Sequence, residues 1–320
     1  MLRVIGKRLA TTIPTLVGCS LLVFAFRFML PGGPIQDMLG SGAGGQITPS
    51  QLAAMKARLG LNRSIPDQYL HWLIGVLHGN LGTSYYSQQP VTTVIGQRIV
   101  PSLELIIGAL LVATLFGVSI GIAAAVARNK RSGRLLLAAT GLGISIPDFW
   151  LAAIASAVLG LEFGMFPAVG FTPLSGGLWN NLHTIILPIL TLSIVTGCFL
   201  ARHTQSAMSA VLSTPYVRSA WAMGIPSWKV YLNCALRNAA GPVITFLPLA
   251  FAALIGGTVL VENVFDIPGI GTEIVNSVSN QDYPVVQGIV LIVGVLVALL
   301  NLAADIGLVI IDPRVRRGAD

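Results

Sequence analysis

Long apolar runs alternate along the chain with shorter polar segments that carry most of the charge. A helix needs about 20 apolar residues to cross a bilayer. Six runs approach or meet that length: Leu9–Leu30, Ser102–Val126, Leu135–Leu161, His183–Leu200, Pro242–Val261 and Val285–Ile311. The fourth is the shortest. The pattern predicts an all-α membrane protein with six transmembrane helices. Between the first two runs, the segment 31–101 reads as a partly helical extracytoplasmic region. Thr48-Pro49-Ser50-Gln51 has the form of a capping box with Pro at the first helical position, and Gly60 is a suitable stop. Pro66–His78 reads as a second amphipathic helix, ended by Gly79-Asn80.

Charge orients the six runs. Arg3, Lys7 and Arg8 precede the first, and Arg128, Lys130, Arg131 and Arg134 separate the second and third. Arg202, Arg218, Lys229 and Arg237 separate the fourth and fifth, and Arg314, Arg316 and Arg317 follow the sixth. The intervening loops 162–182 and 262–284 contain no Lys or Arg and hold Glu162, Glu262, Asp266, Glu273 and Asp282. Short basic loops mark the cytoplasmic side, so both termini are expected there.

Composition agrees with that reading. Of 320 residues, 54% are hydrophobic and only 10% charged, with a net charge of +7, against about 25% charged in a typical soluble domain. The basic balance follows from the loop asymmetry and needs no nucleic-acid partner. We expect one transmembrane domain over 1–320, with a cytoplasmic loop over 201–241. Cys19, Cys198 and Cys234 are far apart and odd in number, which suggests neither a disulfide frame nor a zinc site. His71 and His78 lack further ligands at metal-site spacing.

Three motif-like stretches lack the context their chemistry requires. Leu16-Val17-Gly18-Cys19 resembles a lipoprotein cleavage box, but the apolar run continues past Cys19, longer than the h-region of a cleaved signal. Gly117-Val118-Ser119-Ile120-Gly121 matches G-x-S-x-G inside an uninterrupted span. A nucleophile elbow needs a strand–turn–helix setting, and two glycines four apart suit close helix packing instead. Gly6-Lys7 lacks the rest of a phosphate-binding loop. If ATP drives this protein, a partner binds it.

The segment Thr214–Pro242 has no acidic residue and holds Arg218, Trp221, Trp228, Lys229 and Arg237. Thr214-Pro215 is a good helix start, and Gly224 can end that helix in a left-handed conformation. A second short helix is expected from about Trp228 to Ala239. Helices this short are unstable alone in water, so the segment must lie on lipid headgroups or in a groove of a partner.

Arg218-Ser219-Ala220-x-x-x-Gly224 resembles the E-A-A-x-x-x-G loop of bacterial ABC-importer permeases, with Arg218 in place of Glu and Ser219 in place of the first Ala. Tyr216-Val217-Arg218 and Ala235-Leu236-Arg237-Asn238 resemble the dipeptide/oligopeptide/nickel branch. So do Gly79-Asn80-Leu81-Gly82-Thr83-Ser84, Ser145-Ile146-Pro147 with Phe149-Trp150, and His183 with Leu187-Pro188 and Leu192. Glu262-x-Val264-Phe265-x-x-Pro268-Gly269-x-Gly271, Asp282-Tyr283-Pro284-Val285-Val286-Gln287-Gly288, and Asn301 with Asp305 and Asp312-Pro313-Arg314 complete the series in order. The likeness is nearest to the B-type permease of dipeptide or oligopeptide importers.

The resemblance implies the type I ABC-importer permease fold in a bacterial cytoplasmic membrane. It implies a non-catalytic subunit that forms half of a translocation path for di- or oligopeptides. Its implied partners are a second, C-type permease, two ATPase subunits that bind ATP and Mg, and an extracytoplasmic substrate-binding protein. The coupling loop would meet an ATPase through Arg218, Ser219, Ala220, Trp221, Gly224, Ile225 and Trp228, with Trp221, Ile225 and Trp228 as buried contacts. Nickel and some oligosaccharide importers share much of the pattern, which leaves substrate identity open. Asp148, in the third run beside Pro147, is a candidate path-lining acid or a structural carboxyl. A gradient-driven transporter is the more distant alternative; it would want internal repeats and broken helices around a midplane site.

Overall fold

The computed structural model describes residues 2–29 and 62–311. The expected helix over Thr48–Gly60 and the terminal Asp312–Arg317 stretch lie outside them. The described residues form helices α1 (Leu2–Met29), α2 (Ile65–Leu77), α3 (Val91–Val126), α4 (Arg131–Ser145), α5 (Asp148–Glu162) and α6 (Leu178–Leu212). These are followed by α7 (Pro215–Ala222), α8 (Ser227–Phe265), α9 (Ile270–Ser279) and α10 (Tyr283–Ile311). Among the described residues the β pairing is confined to one isolated bridge, Thr83 with Pro90.

Four described helices are long and apolar enough to cross a membrane: α3, α6, α8 and the Tyr283–Leu308 part of α10. The pair α4 and α5 would make a fifth, bent by 91°. In α1 the described apolar stretch is the shorter Ala10–Ala25.

The helices depart from the six apolar runs in several places. α3 begins at Val91, inside the segment 31–101 and eleven residues before the second run. The third run is broken in two at Ile146-Pro147. Proline has no N–H and pushes its predecessor out of the helical region; Ile146 takes φ −93° and ψ 125°. The fourth run, short in the sequence, lies within a 35-residue helix. Polar residues at both ends of α6 extend it beyond the greasy core. The fifth run does not start at Pro242. Pro242 lies inside α8, and the expected short helix from Trp228 is the first part of that same 39-residue helix. A π-helical segment over Val230–Leu236 rephases it. Burial of Val230, Ala235, Ala239 and Val243 along its inner side offsets the hydrogen bond lost at proline.

The described chain groups into two compact units. Of the described residues, one draws on 2–9, 101–271 and 299–311. Its centre is α6, which packs against α4, α5 and α8. Gly117 and Gly121 lie directly against α6. A Cβ at Gly117 would sit 2.6 Å from the Gly197 carbonyl oxygen, and one at Gly121 2.6 Å from that of Ala201. The G-x-S-x-G stretch is therefore a helix-packing face. Ser119 is exposed in mid-helix and donates to the Leu115 carbonyl at 2.7 Å.

A clamp closes the Glu262 end of this unit. Glu262 is fully buried. Ser102 Oγ donates to its Oε1 at 2.5 Å and accepts the Ile270 N–H at 2.7 Å. The turn between α8 and α9 passes through Asp266 in the left-handed region (φ 53°, ψ 48°), and Ile267 N–H donates to the Glu262 carbonyl at 2.8 Å. A Cβ at Gly269 would run into the Glu262 carboxylate.

The second unit takes the described residues 10–29, 62–100 and 272–298. α2 starts with proline in its first turn and ends before Gly79 at φ 79°. Phe24 packs against Tyr69 and Trp72, with ring centroids 5.4 and 5.8 Å apart. The loop between α2 and α3 is held by Asp282. Its Oδ2 accepts from Ser84 Oγ, and its Oδ1 accepts the Tyr85 N–H at 3.0 Å. His71 is exposed and lies 3.5 Å from Asp67.

Candidate coupling surface and the broken span

The segment 214–230 presents two faces of opposite character. Its inner face is anchored in the chain's own core. Val217, Ala220 and Val230 are buried in a cluster with Ala125, Met208 and Leu212. Burial of a valine contributes roughly 1.5–3 kcal/mol, which is how a helix of eight residues persists.

α7 ends in a Schellman motif. Gly224 has φ 74°; its N–H donates to the Trp221 carbonyl at 2.9 Å, and Ile225 N–H donates to the Ala220 carbonyl at 3.2 Å. Ile225 then packs against the cluster that contains Ala220, the apolar contact that accompanies this motif. The left-handed glycine turns the chain into α8 and sets the bend.

The outer face is left uncovered. Tyr216, Trp221, Met223 and Trp228 are exposed, Met223 by 72% and Trp228 by 60%. Arg218, Ser219 and Lys229 are exposed among them. Trp221 meets Tyr231 edge-on at 6.4 Å, and Lys229 Nζ lies 5.4 Å from the Trp228 ring centre. Aromatic anchors within a charged surround are the usual make-up of a protein-binding hot spot. The seven sequence-predicted residues thus divide. Arg218, Ser219, Trp221 and Trp228 lie on the outer face. Ala220 is buried in the chain's own core, Ile225 is half-buried against it, and Gly224 makes the bend. Tyr216 and Met223 join the outer face; their separation of seven residues places them near one side of a helix only once the helix bounds are known.

Asp148 stands apart from this surface, at the first turn of α5. The break at Pro147 gives it a helix N-terminus, where a negative charge is favoured. Gly257 of α8 makes room for it. A Cβ there would lie 3.1 Å from Asp148 Oδ2 and 3.3 Å from the Leu192 side chain. Asp148 Oδ1 is buried without a hydrogen-bond partner. The sequence places this acid inside an apolar run, just after a potential kink at Pro147; its glycine neighbour emerges only on folding.

This all-helical architecture, with four or five described spans long and apolar enough to cross a membrane, is that of a multi-pass membrane protein. The chain belongs to the family "Binding-protein-dependent transport system inner membrane component", matched over residues 117–317. Residues 1–106 match the family's N-terminal counterpart, "Binding-prot-dependent transport system membrane comp, N-term". It is a non-catalytic, multi-pass subunit of the bacterial inner membrane.

Among similar proteins is the glutathione transport system permease protein of Salmonella typhimurium strain LT2, 39% identical over 316 residues and 99% of both chains. The glutathione transport system permease protein of Escherichia coli K12 is 37% identical over 316 residues, again 99% of both. A probable peptide ABC transporter permease protein of Sinorhizobium fredii is 34% identical over 310 residues, 97% of this chain and 98% of its own.

Proposed function

We propose that this chain is the B-type permease of an ATP-driven importer of di- and oligopeptides, glutathione-like peptides included. The two-faced segment carries the proposal. Its apolar back is locked into the chain's own core, and its cationic aromatic front is uncovered. It meets one of two ATPase subunits, which bind ATP and Mg. α7 and the start of α8 act as one rigid lever, since the Gly224 bend joins them and α8 continues without a break to Phe265. A push on Trp221 and Trp228 is then transmitted along a 39-residue helix. That is a mechanical route for biasing a two-state bundle between its inward- and outward-facing forms.

In this reading the chain has six spans with both termini in the cytoplasm. A second, C-type permease completes the path, and an extracytoplasmic substrate-binding protein delivers the peptide. Co-expression with the products of neighbouring genes, followed by purification, tests it. An ATPase should co-purify, and peptide with its binding protein should stimulate ATP hydrolysis. Stimulation by nickel or an oligosaccharide would replace the substrate assignment; a chain that pumps without any ATPase would end the proposal.

Asp148 is proposed to line the path and to attract the amino end of the peptide. The broken span, the Gly257 notch and the unpartnered Oδ1 support this. Asp148→Asn is expected to slow uptake of peptides with a free amino end by about tenfold, equivalent to ~1.4 kcal/mol. N-acetylated peptides should lose much less. Uptake compared at several pH values checks this, and identical profiles for the variant and the wild type would discard the role.

A further inference from the structure

The second unit contains a cavity of about 410 Å³ that the coupling and path assignments do not use. Its size falls within the range of small-ligand sites, roughly 300–1,000 Å³. Its lining is unusual for packed helices. α9 contributes Glu273, Asn276 and Ser277, Asn280 follows directly after its last residue, and α3 contributes Gln97 and Arg98. Glu273, Asn276, Ser277 and Asn280 fall at i, i+3, i+4, i+7, and the last of them donates its N–H to the Asn276 carbonyl at 2.9 Å, so it continues the same face. Such spacing marks a single helix face, which in a packed helix is apolar. Here it is a face of amides and charges.

The wall opposite is held rigid. The loop 82–91 closes on itself, with Ser84 N–H donating to the Gln89 carbonyl at 2.9 Å and Val91 N–H to the Gly82 carbonyl at 3.0 Å. The Asp282 carboxylate pins it through Ser84 and Tyr85, so that acid is already occupied. Two residues beside the cavity adopt the left-handed region without being glycine: Gln88 and Gln281, each at φ 57°. Backbone strain of this kind collects at ligand clamps and persists only where the surroundings hold it.

The charges inside the cavity specify the ligand. Arg98 Nε lies 3.3 Å from Glu273 Oε2. A guanidinium has five N–H donors, so this contact leaves capacity for a ligand carboxylate. Glu273 can likewise receive an ammonium while it orients Arg98. A simple anion would meet Glu273, and a simple cation would meet Arg98; a molecule carrying both charges satisfies both. The side-chain amides of Gln97, Asn276 and Asn280 offer donors and acceptors to peptide groups between the two ends.

We propose that this cavity is a subsite for a short zwitterionic peptide, with Arg98 pairing its carboxylate, Glu273 its ammonium, and the amide face its backbone. The ligand class rests on the peptide reading above; the site itself rests on the cavity.

The full-length chain in lipid nanodiscs, without a binding protein, is titrated with radiolabelled dialanine. Saturable binding is expected. Arg98→Gln should weaken it about tenfold or more, and so should masking either end of the peptide. Asn276→Trp, at an exposed cavity position away from the Asp282 contacts, should block binding while leaving the thermal midpoint unchanged. It serves as the test should Arg98→Gln fail to fold. No saturable binding by the wild type, or binding that neither Asn276→Trp nor a masked terminus weakens, overturns the subsite. Peptide-stimulated ATP hydrolysis by the assembled importer is read separately. If stimulation occurs but binding here does not, the transport reading stands and the subsite falls. If binding occurs but stimulation does not, the subsite stands and the transport reading falls.

Discussion

Gly224→Val is expected to abolish uptake while the chain still reaches the membrane in normal amount. Gly224 sits at φ 74°, and a Cβ there would meet nothing within 4 Å. The obstacle is therefore the backbone and not the space. A β-branched residue at positive φ is a true outlier, and the left-handed conformation costs an L residue roughly 1–2 kcal/mol. That is too little to unfold the bundle but enough to open a turn held by two hydrogen bonds. α7 would then lose its fixed angle to α8, and the outer aromatic face would lose its shape.

Two further variants separate backbone from charge. Asn tolerates positive φ better than other non-glycine residues, so Gly224→Asn should retain most uptake. Gly224→Asp has nearly the same backbone tolerance but puts an anion among Arg218, Trp221 and Lys229. It should also abolish uptake, through the docking surface alone. Immunoblots of membrane fractions, ATPase co-purification and uptake are measured together. Wild-type uptake by a normally expressed Gly224→Val chain would refute the lever.

The other large effect is expected at Glu262, and it concerns stability. Glu262→Ala removes the acceptor of Ser102 Oγ, and with it the support for the Ile270 N–H. It also empties a fully buried site. Cavities of this kind cost about 2–5 kcal/mol, a large share of the total stability of most proteins. The chain should become scarce in the membrane, and its thermal midpoint in detergent should fall sharply. Glu262→Gln keeps an acceptor oxygen and nearly the same shape, so it should lose much less.

Gly271→Val attacks the same clamp from the other side. A Cβ there would sit 2.7 Å from Glu262 Oε2 and 2.5 Å from the Val259 Cα. Backbone is in the way, so the turn itself must move. Because both changes break one contact set, the double variant should be less destabilised than the sum of the two. A Glu262→Ala chain with the wild-type midpoint would remove the clamp from the account.

Part of this architecture is legible in the linear sequence and part is not. Length and polarity of the apolar runs suffice to place α3, α6, α8 and α10, because a helix in lipid must satisfy its backbone internally. Thr214-Pro215 and Gly224 predict the start and end of α7 and the left-handed turn after it, since such signals act within a few residues; the Thr214 hydroxyl, however, donates to the Val211 carbonyl and does not cap α7. The third run departs from its hydropathy. Hydropathy counts it as one span, while Pro147 breaks it by 91°. Pro242, the same residue type in an equally apolar setting, stays within a helix. Val230, Ala235, Ala239 and Val243 of that helix are buried, and that burial depends on partners distant in sequence.

The chain's local chemistry thus settled its class, its long helices and the bend at Gly224, because hydropathy, caps and glycine act on the nearest residues. Contacts over long separations decided the rest. Ser102 meets Glu262, Ser84 meets Asp282, and Gly257 meets Asp148, across 160, 198 and more than a hundred positions respectively. The motif series marks Ser84, Asp282 and Glu262 but neither Ser102 nor Gly257, and it cannot say which residues touch. Only the packed chain brings them together, and only there do a buried acid, an open amide face and an uncovered pair of tryptophans acquire different roles.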